Sequence, residues 1–241
     1  MLDWLRRKPA ALPMVEVAGR ALPITIRRLA HARRLTLRLA PDGSEARLSI
    51  PRWVPEAEAI AFARTRAPWL AEQLGRVAAP VTMEDGAPIA YRGAAYRIVH
   101  AEGAPRRVEP GAGVLRIGGP VEGLDTRLKR WLHAEARRLF AADLAEYAAR
   151  AGVPLPPMAL SNARARWGSC SSKGVVRLNW RLVMAPDAVR RSVVAHEVAH
   201  LLHFDHSPAF HAALARLFEG DVEAANRWLK RHGRGLHAPF G

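Results

Sequence analysis

The pattern His196-Glu197-Val198-Ala199-His200 constrains this chain more tightly than any other stretch. Residues four apart on a helix lie nearly one above the other, so His196 and His200 can aim two nitrogens at one metal ion. Glu197 falls about 100° further round, close enough to reach a water at the metal without being a ligand. Two or three protein ligands, one open position and a carboxylate to take a proton are the parts of metal-assisted hydrolysis. The segment must therefore be helical and fixed on a rigid scaffold. The flanking residues agree. Pro186 and Asp187 suit a helix start, and Val194, Val198 and Leu201 give the helix an apolar side to bury. Phe204-Asp205-His206-Ser207-Pro208 reads as a break, with His206 swinging back toward the metal and Pro208 opening a second helix, Ala209 to Phe218.

The chain has 241 residues and 49% hydrophobic content, enough for a buried core. A net charge of +15 suggests a polyanionic partner. The basic residues are almost all Arg, however, spread along the chain without interleaved aromatics, so nucleic acid is the less favoured partner. One cysteine excludes an internal disulfide framework and fits a reducing interior. No apolar run is long enough for a signal peptide or a membrane span. These features predict a soluble cytoplasmic protein without a membrane partner.

Residues 1–13 read as a lead-in. Four short alternating runs follow between Met14 and Pro51, with Pro41-Asp42-Gly43 as a turn, and Arg33 and Arg34 on a solvated face. Pro55 to Arg76 reads as a helix that Pro68 should kink or split. Strands return from Pro80 to Pro120, punctuated by glycines, with no repeat of 20–50 residues. Leu124 to Gly152 is a long helix ended by Gly152 and Pro154. A hairpin turning at Lys173-Gly174 precedes the metal helix, and Asp221 to His232 forms a terminal helix. His133 reads as a core or surface histidine, and Cys170 as a small buried hydrophobe rather than a ligand. The fold class is α+β, with a strand-rich region over residues 1–120 carrying one helix and a metal-binding catalytic domain over residues 121–241.

The segment RWGSCSSKGVVRLNWRLVMAP, followed by VVAHEVAHLLHFDHSPAF, resembles the YgjP-like family of metal-dependent hydrolases, related to the SprT-like and WLM zincin domains. The resemblance is strong over Arg166 to Phe210 and looser over the N-terminal half. It implies a zincin-like catalytic domain holding Zn²⁺ through His196, His200 and His206, with Glu197 as catalytic acid and base. His211 stands where the family often has tryptophan. The resemblance also implies peptidase-like hydrolysis, with UTP pyrophosphatase activity or a nucleic-acid-associated, SprT-like role as alternatives. His203 occupies the glycine position of the metzincin pattern and no Met-turn follows, which disfavours that class. Glu219 or Glu223 is an alternative third ligand, and His203 a residue that lines the cleft or orients water. A peptide substrate needs an edge strand, for which Val175–Asn179 is the candidate. A nucleotide substrate needs converging cations, for which Arg164, Arg166 and Lys173 are the candidates.

Overall fold

The computed structural model describes residues 12–40, 43–75 and 81–240. Residues 1–11 of the expected lead-in, and Pro41 and Asp42 of the expected turn, lie outside the described residues. The chain divides into two compact units, 1–78 and 79–241. This division differs from one at Gly119-Pro120, and the reason is packing. The strands between 88 and 118 bury Ile98, Leu115 and Ile117 in one core with the long helix that follows them. No helix of the described residues is long and apolar enough to cross a membrane.

The first unit contains strands β1 (Met14–Val17), β2 (Arg20–Arg28), β3 (Thr36–Leu39) and β4 (Ala46–Ile50), then helices α1 (Glu56–Thr65) and α2 (Ala67–Gly75). The sheet order is β1-β2-β4-β3. Alternation sends Ala46, Leu48 and Ile50 of β4 inward with Leu22 and Ile24 of β2, against Ala59, Ala63 and Leu70 of the helices. The helix splits at Arg66, because Pro68 has no N–H to give the Arg64 carbonyl and its ring crowds that carbonyl, while Pro68 fits the first turn of a new helix.

The second unit begins with β5 (Pro88–Tyr91), β6 (Ala94–Ala101), β7 (Val108–Pro110) and β8 (Val114–Gly118). Their order is β5-β6-β8-β7. It repeats the first sheet in order and sense: an antiparallel hairpin, a parallel pair, then an antiparallel edge strand. Even the hairpin turns match. Ala18-Gly19 has φ of 50° and 77°, and Arg92-Gly93 has φ of 51° and 79°, the left-handed pair that suits a two-residue hairpin. The chain thus carries the same four-stranded arrangement twice.

Helix α3 (Leu124–Ala151) follows. Its buried residues step by four through Leu124, Leu128, Leu132, Ala136, Phe140 and Leu144. At 3.6 residues per turn, such a stripe advances about 40° per step, so the buried face rotates along the helix. It packs against β7, β8 and a 3₁₀ turn at Trp180–Met184, and also against α4 (Asp187–Leu202) and α5 (Pro208–Leu217). A third sheet, ordered β10-β11-β9, is built from β9 (Met158–Ser161), β10 (Gly168–Cys170) and β11 (Val176–Asn179). Helix α6 (Val222–His232) packs on α4.

Two devices fix α4. At its start, the Arg92-Gly93 turn donates its N–H groups to the carbonyls of Val183 and Met184, at 2.9 and 3.1 Å. A Cβ on Gly93 would lie 2.7 Å from the Cα of Pro186, so the turn comes as close as backbone allows. Arg92 also pairs with Asp187. On its flank, buried Arg190 donates from Nε to Oδ2 of buried Asp143 on α3, at 2.7 Å. Arg190 also pairs with Asp187, and Asp143 with Arg191 at 3.3 Å, so the two buried charges belong to a network that ties α4 to α3.

Candidate active site

Helix α4 presents His196, Glu197 and His200 at its C-terminal end. The helix stops at His203, whose extended backbone (φ −141°, ψ 115°) turns the chain away. Ser207 then caps α5 by accepting from the Phe210 N–H, with Pro208 in the first turn. This tight break brings His206 back over α4. Its Nε2 lies 3.3 Å from Nε2 of His196. Phe210 is fully buried beneath the cluster, with its ring centroid 4.6–5.0 Å from the three imidazoles.

Donor atoms of His196, His200 and His206 all lie within 4.8 Å of one another, and among the described residues they form the group with metal-ligand geometry. Two nitrogens bound tetrahedrally at about 2.0–2.1 Å from one ion stand about 3.3 Å apart, which matches the His196–His206 separation. The Nδ1 of His200 lies 3.1 Å from the carbonyl of His203. A carbonyl can only accept, so Nδ1 carries the proton and Nε2 keeps its lone pair. Burial first, and then the neighbouring imidazoles, push the pKa of His196 down to about 4. Burial also lowers that of His200. Both rings are thus held neutral, the form that coordinates metal. The donor set fits a divalent metal.

Glu197, next after His196 on α4, lines one cavity together with it and is 5% exposed. Its Oε2 is buried with no hydrogen-bond partner among the described residues. Burial raises its pKa to about 7, against the opposing pull of the Arg166 charge and a hydrogen bond from the Cys170 backbone. Strand β10 presses directly on this carboxylate. A Cβ on Gly168 would stand 2.8 Å from both Cγ and Cδ of Glu197, and closer still to Oε1.

Other expected residues are placed differently. Glu219 accepts from the Tyr147 hydroxyl, from Arg150 and from Arg191 at 2.8–3.0 Å, which turns it toward α3 rather than the histidines. Exposed Glu223 pairs with Arg227. His203 contributes through its carbonyl. His133 stacks on Trp180 with ring centroids 4.6 Å apart. Cys170 is half-buried against the core, and burial followed by the Glu197 charge pushes its thiol pKa up. Of the three cations, Arg166 faces Glu197 electrostatically. Arg164 lies among Arg181 and His237, and exposed Lys173 sits in the β10–β11 turn.

The edge-strand expectation for Val175–Asn179 is corrected. Strand β11 is the centre of its sheet, paired with β10 on one side and β9 on the other. Both rows of its backbone groups are therefore used, and β10 is the edge strand against α4.

Sequence reasoning gave no role to Gly168, to the Cys170 N–H, or to Trp167 and Asn226 beside Glu197. A glycine between Trp167 and Ser169 was the available signal for close approach. Nothing in the sequence pairs Asn226 with Glu197, 29 positions earlier.

Three imidazoles around one point, beside a buried carboxylate, form a candidate metal centre. The chain belongs to the YgjP-like family: the model described as YgjP-like, metallopeptidase domain, matches residues 33–232. Among solved structures, the chain is similar to the crystal structure of the metallopeptidase zymogen of Pyrococcus abyssi abylysin. The identity is 18% and the TM-score 0.36, over 39% of this chain and 96% of that one. No curated protein matches the sequence.

Proposed function

We propose that the chain is a zinc-dependent metallopeptidase in which His196, His200 and His206 hold the metal and Glu197 is the general base. The observation that carries this reading is the buried, unpartnered Oε2 of Glu197 next to three imidazoles whose donor nitrogens converge. A carboxylate oxygen left without a donor is costly to bury, and a site used only to bind metal structurally has no need of one. When bound, zinc supplies Lewis acidity toward a water and the scissile carbonyl. The chain's own residues do the rest. The His203 carbonyl keeps the Nε2 lone pair of His200 directed inward. Glu197 takes a proton from the attacking water and returns it to the departing amine, a task suited to a carboxylate whose pKa is raised toward 7. The edge strand β10 offers backbone groups to an extended polypeptide. Phe210 closes the underside against water.

The dispersed cations favour a peptide over a nucleoside triphosphate, because only Arg166 stands by the carboxylate. The test compares wild type and Glu197→Gln for zinc content and for hydrolysis of a peptide pool and of UTP. About one zinc per chain in both proteins, with peptide hydrolysis reduced about 10²–10⁴-fold in the variant, supports the reading. UTP hydrolysis that vanishes in the variant, without any peptide cleavage, overturns the peptidase assignment in favour of a pyrophosphatase.

A further inference from the structure

A cavity of 210 Å³ opens beside the histidine cluster, with His196 and Glu197 in its lining. Its apolar walls are Trp167 before β10, Val193 one turn before Glu197 on α4, and Val222 and Leu229 of α6. Two uncharged polar residues, Ser192 and Asn226, complete it. Among the described residues, no Lys, Arg or Asp lines it, and Glu197 is its one carboxylate.

The walls are braced. A Cβ on Gly233 would stand 2.8 Å from Cζ2 of Trp167, and the His237 ring lies 5.4 Å from the indole on another side. Helix α6 is capped where it enters the cavity wall, with the Asp221 side chain accepting from the Ala224 N–H at 2.9 Å. A group entering this space therefore has little protein left to order.

We propose that this cavity receives the side chain of the substrate residue flanking the scissile bond and selects an uncharged apolar side chain of leucine to phenylalanine size. The proposal rests on the metallopeptidase reading and names the substrate class for that site. Size carries the first part. Pockets that hold whole small-molecule ligands span about 300–1,000 Å³, so this space suits one side chain rather than a nucleotide. Chemistry carries the second. Apolar walls reward each buried methylene, and a charged side chain would enter without an opposite charge other than the carboxylate needed as base. Asn226 stands exposed on α6 in the lining, where a change of charge would alter the preference.

The test is calorimetric titration of the zinc-loaded protein with metal-chelating hydroxamates bearing glycine-, leucine-, lysine-, aspartate- and uracil-type substituents. The leucine type should bind about tenfold or more tightly than the glycine type, with the lysine and aspartate types weaker than leucine. Val222→Phe, which fills the space from the first residue of α6, should bring the leucine and glycine types to similar affinity. Asn226→Asp should improve the lysine type relative to the leucine type by about tenfold, as a single added charge contact does. Equal affinity across the series in wild type, tightest binding of the uracil type, or a wild-type preference that neither variant moves would each overturn the proposal. Failure of every hydroxamate to bind, the glycine type included, would instead overturn the metal-site reading on which it rests.

Discussion

Replacing Gly168 with alanine tests how tightly Glu197, the proposed general base, is held. Gly168 does not have a left-handed backbone, so alanine carries no conformational penalty there and the whole effect comes from one methyl group. That methyl would lie 2.8 Å from Cγ and Cδ of Glu197, where ordinary contact begins at 3.4 Å. Glu197 or β10 must therefore yield by at least about 0.6 Å, an overpacking of the kind that costs about 1–3 kcal/mol. A displacement approaching 1 Å in a reacting group lowers the rate by about 10²-fold. The three histidines are not in this contact, so zinc should remain. The assay is steady-state hydrolysis of the best peptide with zinc content measured on the same sample. The expected result is kcat down by about 10²-fold, KM changed by only a few fold and about one zinc retained, a split that marks loss of a transition-state contact. Activity within threefold of wild type, or loss of the metal, would refute the argument that β10 positions Glu197.

Further predictions concern the supports of the site. In the metal-free protein, a Glu197 pKa raised from 4.5 to about 7 means that the folded state favours the protonated form. Its contribution is present below pH 4.5 and is lost as pH rises through 7, a change of about 3 kcal/mol. Chemical denaturation should show Glu197→Gln gaining stability over wild type across that window; parallel pH profiles would contradict it. Glu219 behaves in the opposite sense. Burial raises its pKa, but hydrogen bonds from its own backbone, Arg191 and Tyr147 outweigh that and hold it at about 2. Its contribution is present above pH 4.5 and lost as pH falls toward 2. Glu219→Gln should therefore cost up to about 1 kcal/mol at pH 7, with the difference from wild type shrinking in acid and zinc unaffected. Zinc loss in that variant would restore Glu219 as a ligand. Arg166→Gln combined with Lys173→Gln should leave peptide KM within a few fold; a selectively raised KM for UTP, with strong salt dependence, would favour the nucleotide reading.

The helix from Asp187 and the break at His206 were legible in the sequence because both rest on local rules: four-residue spacing and a Pro-opened second helix. The two-part helix around Pro68 and the α3 stop at Gly152 follow from the same kind of signal. Long-range pairing was not legible. Val175–Asn179 has the composition of any short strand, and only its two neighbours, β9 and β10, decide that it is central. The duplicated four-stranded arrangement was hidden because its halves share a topology and a turn conformation, with a separation of Ala18 and Arg92 well beyond a short-repeat period. Arg164, Arg166 and Lys173 are close in sequence, yet the loop and turn between β9 and β11 send them to different surroundings. Proximity along the chain was a poor guide to convergence there.

The central claim is that three histidines, and not a carboxylate or the thiol, hold the metal. Anomalous diffraction at the zinc edge from crystals of the zinc-loaded protein tests it most directly. The account predicts one strong peak about 2.0–2.1 Å from a ring nitrogen of each of His196, His200 and His206, with Glu197 beyond bonding distance. A peak bonded to Glu197, Glu219 or Cys170 in place of any one of those histidines would contradict it.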